Sequence, residues 1–391
     1  MKTVPYARQD INEADVAAVV AVLRSDFLTQ GPAIARFERR VAEYCGARHA
    51  VTVSSATAGL HLSCLALGLQ PGDWLWTSPN TFVASANCAR YCGAGVDFVD
   101  IDPRTYNLSI AELERKLTAA KIAGRLPKVV VPVHFAGQSC EMERLGGLAR
   151  RYGFAVLEDA AHATGARYQG RPVGDCRFSD LTVFSFHPVK IITTGEGGMI
   201  LTNRNDLHEK LLRLRTHGIT RHPAEMTGES HGSWYYEQLE LGFNYRLTDL
   251  QAALGLSQMD RLDEFVARRR ELVRAYDEQL RHLPLTLPCQ HPDTASSWHL
   301  YVVRLQQAAI RATHRQVFEQ FRAAGILVNL HYIPVHTQPY YQRLGFKPGD
   351  FPAAERYYSE ALSLPLFSAL MPEDQSRVVS VLTALLTPSR A

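Results

Sequence analysis

The strongest constraint on this chain is an alternation, through residues 1–250, of short β-rich runs with helical patterns. Units of that kind build a mostly parallel sheet with helices on its faces. Two helical stretches, VAAVVAVLRS (16–25) and IARFERRVAEYCG (34–46), lead in. HAVTVSS (49–55) then reads as a strand running into a helix at ATAGLHLSCLALGL (56–69). WLWTSP (74–79) and NTFVASANCARYCGA (80–94) repeat the unit, and VDFVDID (96–102) opens another. KVVVPVHFAG (128–137) and FAVLEDAAHATG (154–165) are apolar strands with polar tips, followed by LTVFSF and GGMILTN. Ligands of an open α/β sheet collect beyond the carboxyl ends of its strands, so the polar tips are expected to converge on one crevice.

After residue 248 the pattern changes. Thr248 is a good N-cap for DLQAALGLSQMDRLDEFVARRRELVRAYDEQL. The spacing predicts a single helix of roughly thirty residues and ~50 Å, long enough to bridge two domains. Beyond it, WHLYVVRL, a helix near 312–324, ILVNLHYIP and a final helical segment predict a small α+β unit. A length of 391 residues exceeds one typical core. The expected division is an N-terminal arm and large domain over 1–250, then a bridging helix and small domain over 251–391.

Charge and cysteine content narrow the function. A net charge of +3, with no block of Lys or Arg, argues against a nucleic-acid or anionic-membrane surface. The seven cysteines are odd in number and scattered, with no companion ligands at zinc spacing, which suits a reducing compartment and no metal. The start MKTVPYARQDINEADV lacks an apolar core, and no run approaches ~18 apolar residues. A cytoplasmic location is expected.

Three short stretches suggest chemistry. LEDAAH places Asp159 at a strand tip with His162 three residues on; a single tip aspartate is more often an ordinary turn residue. SSATAGLH joins strand to helix through small and hydroxyl residues, which suits a plain capped helix and equally an anion site. FSFHPVKIITTGEGG sets Lys190 among apolar residues, five after Ser185 and just before a Gly-rich turn. Surface decoration is the ordinary role of a lysine. Taken together, the hydroxyl clusters, the carboxylate and the desolvated lysine match the needs of pyridoxal 5'-phosphate (PLP). They would hold a phosphate, a protonated pyridine nitrogen and an aldehyde carbon. Phe82, after WLWTSP, could stack on the ring.

The segments LTQGPAIARFE, SSATAGLHL, SPNTFVASAN, DIDPRTYN, PVHFAGQ, LEDAAHATGA, FSFHPVKIITTGEGG, GFNYRLTDLQAALGLSQ and LHYIPVH occur in this order along the chain. In them the chain resembles the DegT/DnrJ/StrS family of PLP-dependent nucleotide-sugar aminotransferases. The resemblance implies the fold-type I architecture, aspartate aminotransferase-like, with a mostly parallel mixed sheet in the large domain and a small C-terminal α+β domain. It implies Lys190 as the lysine that bonds PLP and Asp159 as the partner of the pyridine nitrogen. Ala56, Thr57 and Ser185 fall on the phosphate-binding positions and Phe82 on the stacking aromatic. Asn244 falls on an asparagine that reaches the neighbouring subunit's phosphate, which implies a homodimer with shared active sites. His162 stands where many members have glutamine and could still hydrogen-bond the phenolic oxygen.

Within the family, DFLTQGP, TFVASAN, the histidine of DAAHATG, FSFHPVKIITTGEGG and HYIPVH are most similar to the transaminases of the pseudaminic-acid pathway. That similarity implies transfer of an amino group from L-glutamate to C4 of a UDP-linked 4-keto-6-deoxy-N-acetylhexosamine. Tyr6, Thr29, Gln30, His331 and Tyr332 are the expected sugar-side residues. His331 and His336 also read as ordinary loop histidines, and Arg246 as either a ligand of the donor carboxylate or a salt-bridge residue. Three alternatives stand beside this reading: another nucleotide-linked keto sugar (dTDP- or GDP-linked, aminated at C3 or C4), a related sugar dehydratase, and a non-catalytic PLP-binding regulator. The dehydratases replace the lysine with histidine, so Lys190 argues against that reading. A regulator would usually add a DNA-binding module, for which the chain has no spare segment.

Overall fold

The computed structural model describes residues 3–386. Seven strands form its central sheet: β1 (His49–Val53), β2 (Trp74–Thr77), β3 (Gly95–Phe98), β4 (Val129–Val131), β5 (Ala155–Asp159), β6 (Leu181–Ser185) and β7 (Gly198–Thr202). Their order across the sheet is β1-β7-β6-β5-β4-β2-β3. Only β7 runs antiparallel to its neighbours, so the sheet is mixed but mostly parallel, as the alternation predicts. β7 starts level with the ends of both flanking strands, Gly198 opposite Val53 and Ser185. The loop from β6 to β7, which carries Lys190, therefore turns back at the ligand edge of the sheet. Every residue of β6 and β7 is buried, as expected for strands covered on both faces.

Helices cover those faces. α1 (Glu13–Leu23) begins with a capping box between Asn12 and Asp15. α2 (Pro32–Cys45) has proline in its first turn and ends on Gly46, whose φ of 75° is the left-handed closure glycine permits. On one face, α3 (Ala56–Ala66), α4 (Ala84–Tyr91) and α7 (Asn205–Arg215) bury Leu60, Leu62, Ala86 and Leu211 against Val51, Val183 and Ile200. On the other, α2 and α8 (Asp249–Met259) join Phe184, Phe186 and Met199. α5 (Ile110–Ile122) and α6 (Met142–Tyr152) form a further layer over Val130 and Val156.

The single long helix expected after Thr248 is instead two. Thr248 does cap α8 with a capping box, but the chain leaves helical geometry at Arg261 (φ −107°, ψ 4°) before α9 (Leu262–Leu280). The break has a tertiary cause: the Arg261 guanidinium reaches Asp10 at 3.1 Å and buried Asp15 at 2.6 Å. α9 still connects two cores. Its Leu262, Phe265 and Val266 pack with the sheet helices. Leu272, Val273, Tyr276 and Leu280 pack beneath a second, antiparallel sheet of β8 (Leu285–Thr286), β9 (Tyr301–Leu305) and β10 (Ala361–Leu364). Among the described residues, no helix is long and apolar enough to cross a membrane.

Candidate active site

The strand tips meet at a cavity of about 620 Å³, lined among others by Tyr6, Ser55, Ala56, Thr57, Phe82, Asp159, His162, Ser185, Lys190, His331 and Tyr332. Its floor is the N-terminus of α3. Ser55 caps that helix, its Oγ accepting from the Ala58 N–H at 3.1 Å. The Ala56 and Thr57 N–H groups have no acceptor among the described residues. A side chain on Gly198 would place Cβ 2.7 Å from the Ala56 nitrogen, so only glycine lets β7 start beside this terminus. Free amides at a helix start, with the Thr57 and Ser185 hydroxyls nearby, suit a phosphate.

Asp159 ends β5 and is buried. Its Oδ2 accepts the Ser85 hydroxyl at 2.6 Å and its Oδ1 the Ala161 N–H at 3.1 Å. The preceding Glu158 points to the opposite face, as strand alternation requires, and binds His134 at 2.6 Å and Thr182 at 2.9 Å. Only one of the two tip carboxylates therefore serves the cavity. Ser85 was not singled out by sequence, although it lies inside the TFVASAN stretch. Ser85→Ala should lower turnover by roughly tenfold, the scale of one hydrogen bond to a charged group, with substrate KM values little changed. Steady-state assays check this; an unchanged kcat would show that Ala161 alone holds the carboxylate.

Lys190 is half-buried in the loop 186–197. Phe186 closes that loop twice, donating to the Gly197 carbonyl and accepting from the Thr194 N–H, both at 3.0 Å. No hydrogen bond or ion pair fixes Nζ among the described residues. Burial lowers its pKa to about 8, against the opposing pull of Asp159. A free amine is the form that attacks an aldehyde. Capture of PLP by cofactor-free protein should thus speed up about tenfold per pH unit below the midpoint and level off above about pH 8. Stopped-flow absorbance measures it; a rate still climbing toward the pKa of an ordinary lysine would contradict this environment.

Two histidines complete the wall. Burial, reinforced by Lys190, holds His331 down to about 3 and His162 well below its ordinary value, so both rings stay neutral. His162 Nε2 lies 3.0 Å from the Tyr332 hydroxyl, while its Nδ1 is buried without a partner. His331 Nδ1 lies 2.8 Å from Ser363 Oγ on β10. Burial, reinforced by Asp159, raises the Tyr332 phenol, which keeps its proton. A lysine free to bond, a carboxylate at a strand tip, unpaired helix-start amides and an orphaned imidazole nitrogen fit PLP.

The remaining expected residues separate clearly. Tyr6, Ala56, Thr57, Phe82, Asp159, His162, Ser185, Lys190, His331 and Tyr332 share the cavity. Thr29, Gln30 and Asn244 do not line it and are exposed. Gln30 and Arg246 line a separate cavity of about 860 Å³ with Arg213 and Arg215. His336 is the ordinary loop histidine, bonded to Glu355 at 2.8 Å and outside the cavity. Asn80, which accepts the Tyr332 N–H at 3.3 Å, and His299, at a ring separation of 4.3 Å from His162, are neighbours of the site that no spacing signalled.

Residues 9–383 match the model of the DegT/DnrJ/EryC1/StrS aminotransferase family. The spore coat polysaccharide biosynthesis protein SpsC of Bacillus subtilis is 40% identical over 378 residues, 96% of this chain and 95% of its own. Among solved structures, Helicobacter pylori PseC, an aminotransferase involved in the biosynthesis of pseudoaminic acid, superposes with a TM-score of 0.88 at 32% identity, covering 98% of this chain and 99% of its own. Spr1654 of Streptococcus pneumoniae matches in its PLP form with a TM-score of 0.87 at 29% identity, covering 98% and 100%. It also matches in its PMP form, with a TM-score of 0.88.

Proposed function

The chain belongs to the DegT/DnrJ/EryC1/StrS aminotransferase family and is a PLP-dependent sugar aminotransferase of fold-type I; from that premise we propose that it aminates C4 of a UDP-linked 4-keto-6-deoxy-N-acetylhexosamine with L-glutamate as donor, in pseudaminic acid biosynthesis. The observation that carries the chemistry is the convergence of Lys190, Asp159 and the free Ala56 and Thr57 amides on one cavity. The sugar is read from the likeness to PseC.

PLP, when bound, supplies an electron sink for the carbanion at the amino carbon. Ala56, Thr57 and Ser185 would hold its phosphate, and Phe82 would stack on its ring. Asp159, braced by Ser85 and the Ala161 amide, would keep the proton on the ring nitrogen. His162 would hydrogen-bond the phenolic oxygen. Lys190 takes the proton from Cα of glutamate and, in the second half-reaction, delivers one to C4 of the sugar. Tyr6, His331 and Tyr332 line the sugar side. Ping-pong kinetics follow.

We place the working enzyme in the cytoplasm as a homodimer with shared sites. Its cysteines are all free thiols, which a reducing compartment preserves. Asn244, Thr29 and Gln30 do not line the cavity of their own chain, and apolar Phe27, Leu28 and Leu241 are exposed. We read residues 1–250 as the arm and large domain and 251–391 as the connecting helices and small domain; of the connecting helices, α8 packs on the large domain's sheet and α9 crosses between the two cores. The test is a panel of UDP-, dTDP- and GDP-linked 4-keto and 3-keto sugars with L-glutamate, products read by mass. Amination of the UDP-linked 4-ketone above the others is expected; preference for a dTDP- or GDP-linked sugar, or for a 3-ketone, overturns the substrate assignment.

A further inference from the structure

We propose that His299 is a positioning residue that fixes the plane of the His162 ring, and through it the hydrogen bond His162 makes to the cofactor. The inference rests on the reading of His162 as a cofactor partner.

His299 opens the segment leading into β9, is 2% exposed, and does not line the cavity. Its ring stands behind His162, centroids 4.3 Å apart and planes 43° apart. Tyr332 lies nearly parallel to His162, at 6.0 Å and 23°, with its hydroxyl 3.0 Å from Nε2. His162 thus has one ring packed on it and a second at its Nε2 edge. Nδ1 of His162 and Nδ1 of His299 are both buried without a partner among the described residues, a cost that an aromatic hydrocarbon at 299 would avoid.

The backbone around His299 is fixed with unusual care. Trp298 sits at φ 54°, a left-handed conformation that bulky residues rarely adopt. The buried Arg269 guanidinium donates to the carbonyls of Trp298 at 3.1 Å, His299 at 3.3 Å and Leu366 at 2.9 Å. Ser297 donates from Oγ to the His162 carbonyl at 3.0 Å and from N to the Gly137 carbonyl at 3.2 Å. Gly137 fits only without a side chain, since a Cβ would lie 2.7 Å from Ser297 Oγ and 3.0 Å from the His162 carbonyl. Strain and a buried cation assembled around one neutral ring are what a functional constraint leaves behind. A neutral imidazole has one N–H, and which nitrogen carries it decides whether His162 donates or accepts toward the phenolic oxygen. The groups bonded to the ring nitrogens set that choice, and the Tyr332 hydroxyl at Nε2 is one of them; a second imidazole packed on the ring, on a backbone tied to the His162 carbonyl, holds the ring in the plane that such bonds need.

The test compares His299→Phe, His299→Ala and His299→Gln with wild type. Readouts are the imidazole ¹⁵N shifts of His162 in cofactor-free protein, the absorption maximum of the lysine-bound cofactor, and steady-state kinetics. The two apolar variants should move the His162 shifts as the ring loosens from the Tyr332 hydroxyl, displace the absorption maximum, and lower kcat about tenfold with KM for glutamate within about twofold. His299→Gln should recover much of the loss. In a His162→Phe background, His299→Phe should add no further change to the absorption maximum or to kcat. Unchanged His162 shifts in both apolar variants, or additive effects in the double variant, overturn the inference. Failure of the underlying reading looks different: His162→Phe would then leave the absorption maximum of the bound cofactor where it was.

Discussion

Lys190→Ala should end turnover and covalent cofactor retention together. Wild-type protein loaded with PLP should be yellow, lose that colour on borohydride treatment, and gain the mass of the reduced cofactor on the peptide containing Lys190. The variant should show neither the bleaching nor the mass. Its kcat should fall by roughly 10⁴-fold or more, because the same side chain bonds the cofactor and carries the proton, and positioned general bases alone contribute about 10²–10⁴. The environment supports both duties: burial lowers the amine to about 8, and among the described residues no side chain ties it down. Lys190→Arg keeps charge and length but holds its proton, so it should be as inactive as alanine. Cofactor mass found on another lysine in wild type, or a borohydride-stable yellow Lys190→Ala protein with substantial turnover, would sink the assignment.

Much of this site was legible because its parts lie on contiguous stretches. Lys190, Ser185 and the glycine turn occupy one loop between adjacent strands, and Asp159 and His162 another, so local sequence carries them directly to one edge of the sheet. What sequence missed depends on distant contacts. A helix run through Asp260 and Arg261 has no local stop signal. It breaks because Arg261 binds Asp10 and Asp15 at the other end of the chain. Ser85 looks like any small helical residue until α4 brings it within 2.6 Å of Asp159. His299 precedes an ordinary β-run, and only the docking of the small sheet sets it against His162. Thr29 and Gln30, expected on the sugar side, do not line the cavity of their own chain, and neither does Asn244, which the resemblance puts at a neighbouring subunit's phosphate. A single chain's spacing contains no information about a surface that a second copy would complete.

Removing the carboxylate at Asp159 should separate cofactor binding from catalysis. Asp159→Asn keeps the size of the side chain: its oxygen can accept the Ala161 N–H at the place of Oδ1, and its NH2, at the place of Oδ2, can donate to the Ser85 hydroxyl oxygen. The fold and the lysine-bound colour should therefore survive, with a melting temperature close to wild type. Turnover should not survive. A neutral amide cannot hold a proton on the pyridine nitrogen, the ring loses its capacity to absorb electrons, and kcat should drop on the order of 10³-fold, the scale for loss of one preorganised electrostatic partner at a developing charge. The loss should appear in proton removal from glutamate, so α-deuterated glutamate should show a larger isotope effect on the variant than on wild type. Rescue distinguishes charge from shape. Asp159→Ala leaves space at the strand tip, and N1-methylated PLP carries a fixed positive charge there without needing a carboxylate partner. That cofactor should restore a measurable part of the alanine variant's activity while doing nothing for Lys190→Ala. An Asp159→Asn protein with wild-type kcat, or an alanine variant indifferent to the methylated cofactor, would show that Asp159 holds the strand tip together and leaves the ring's charge to another group.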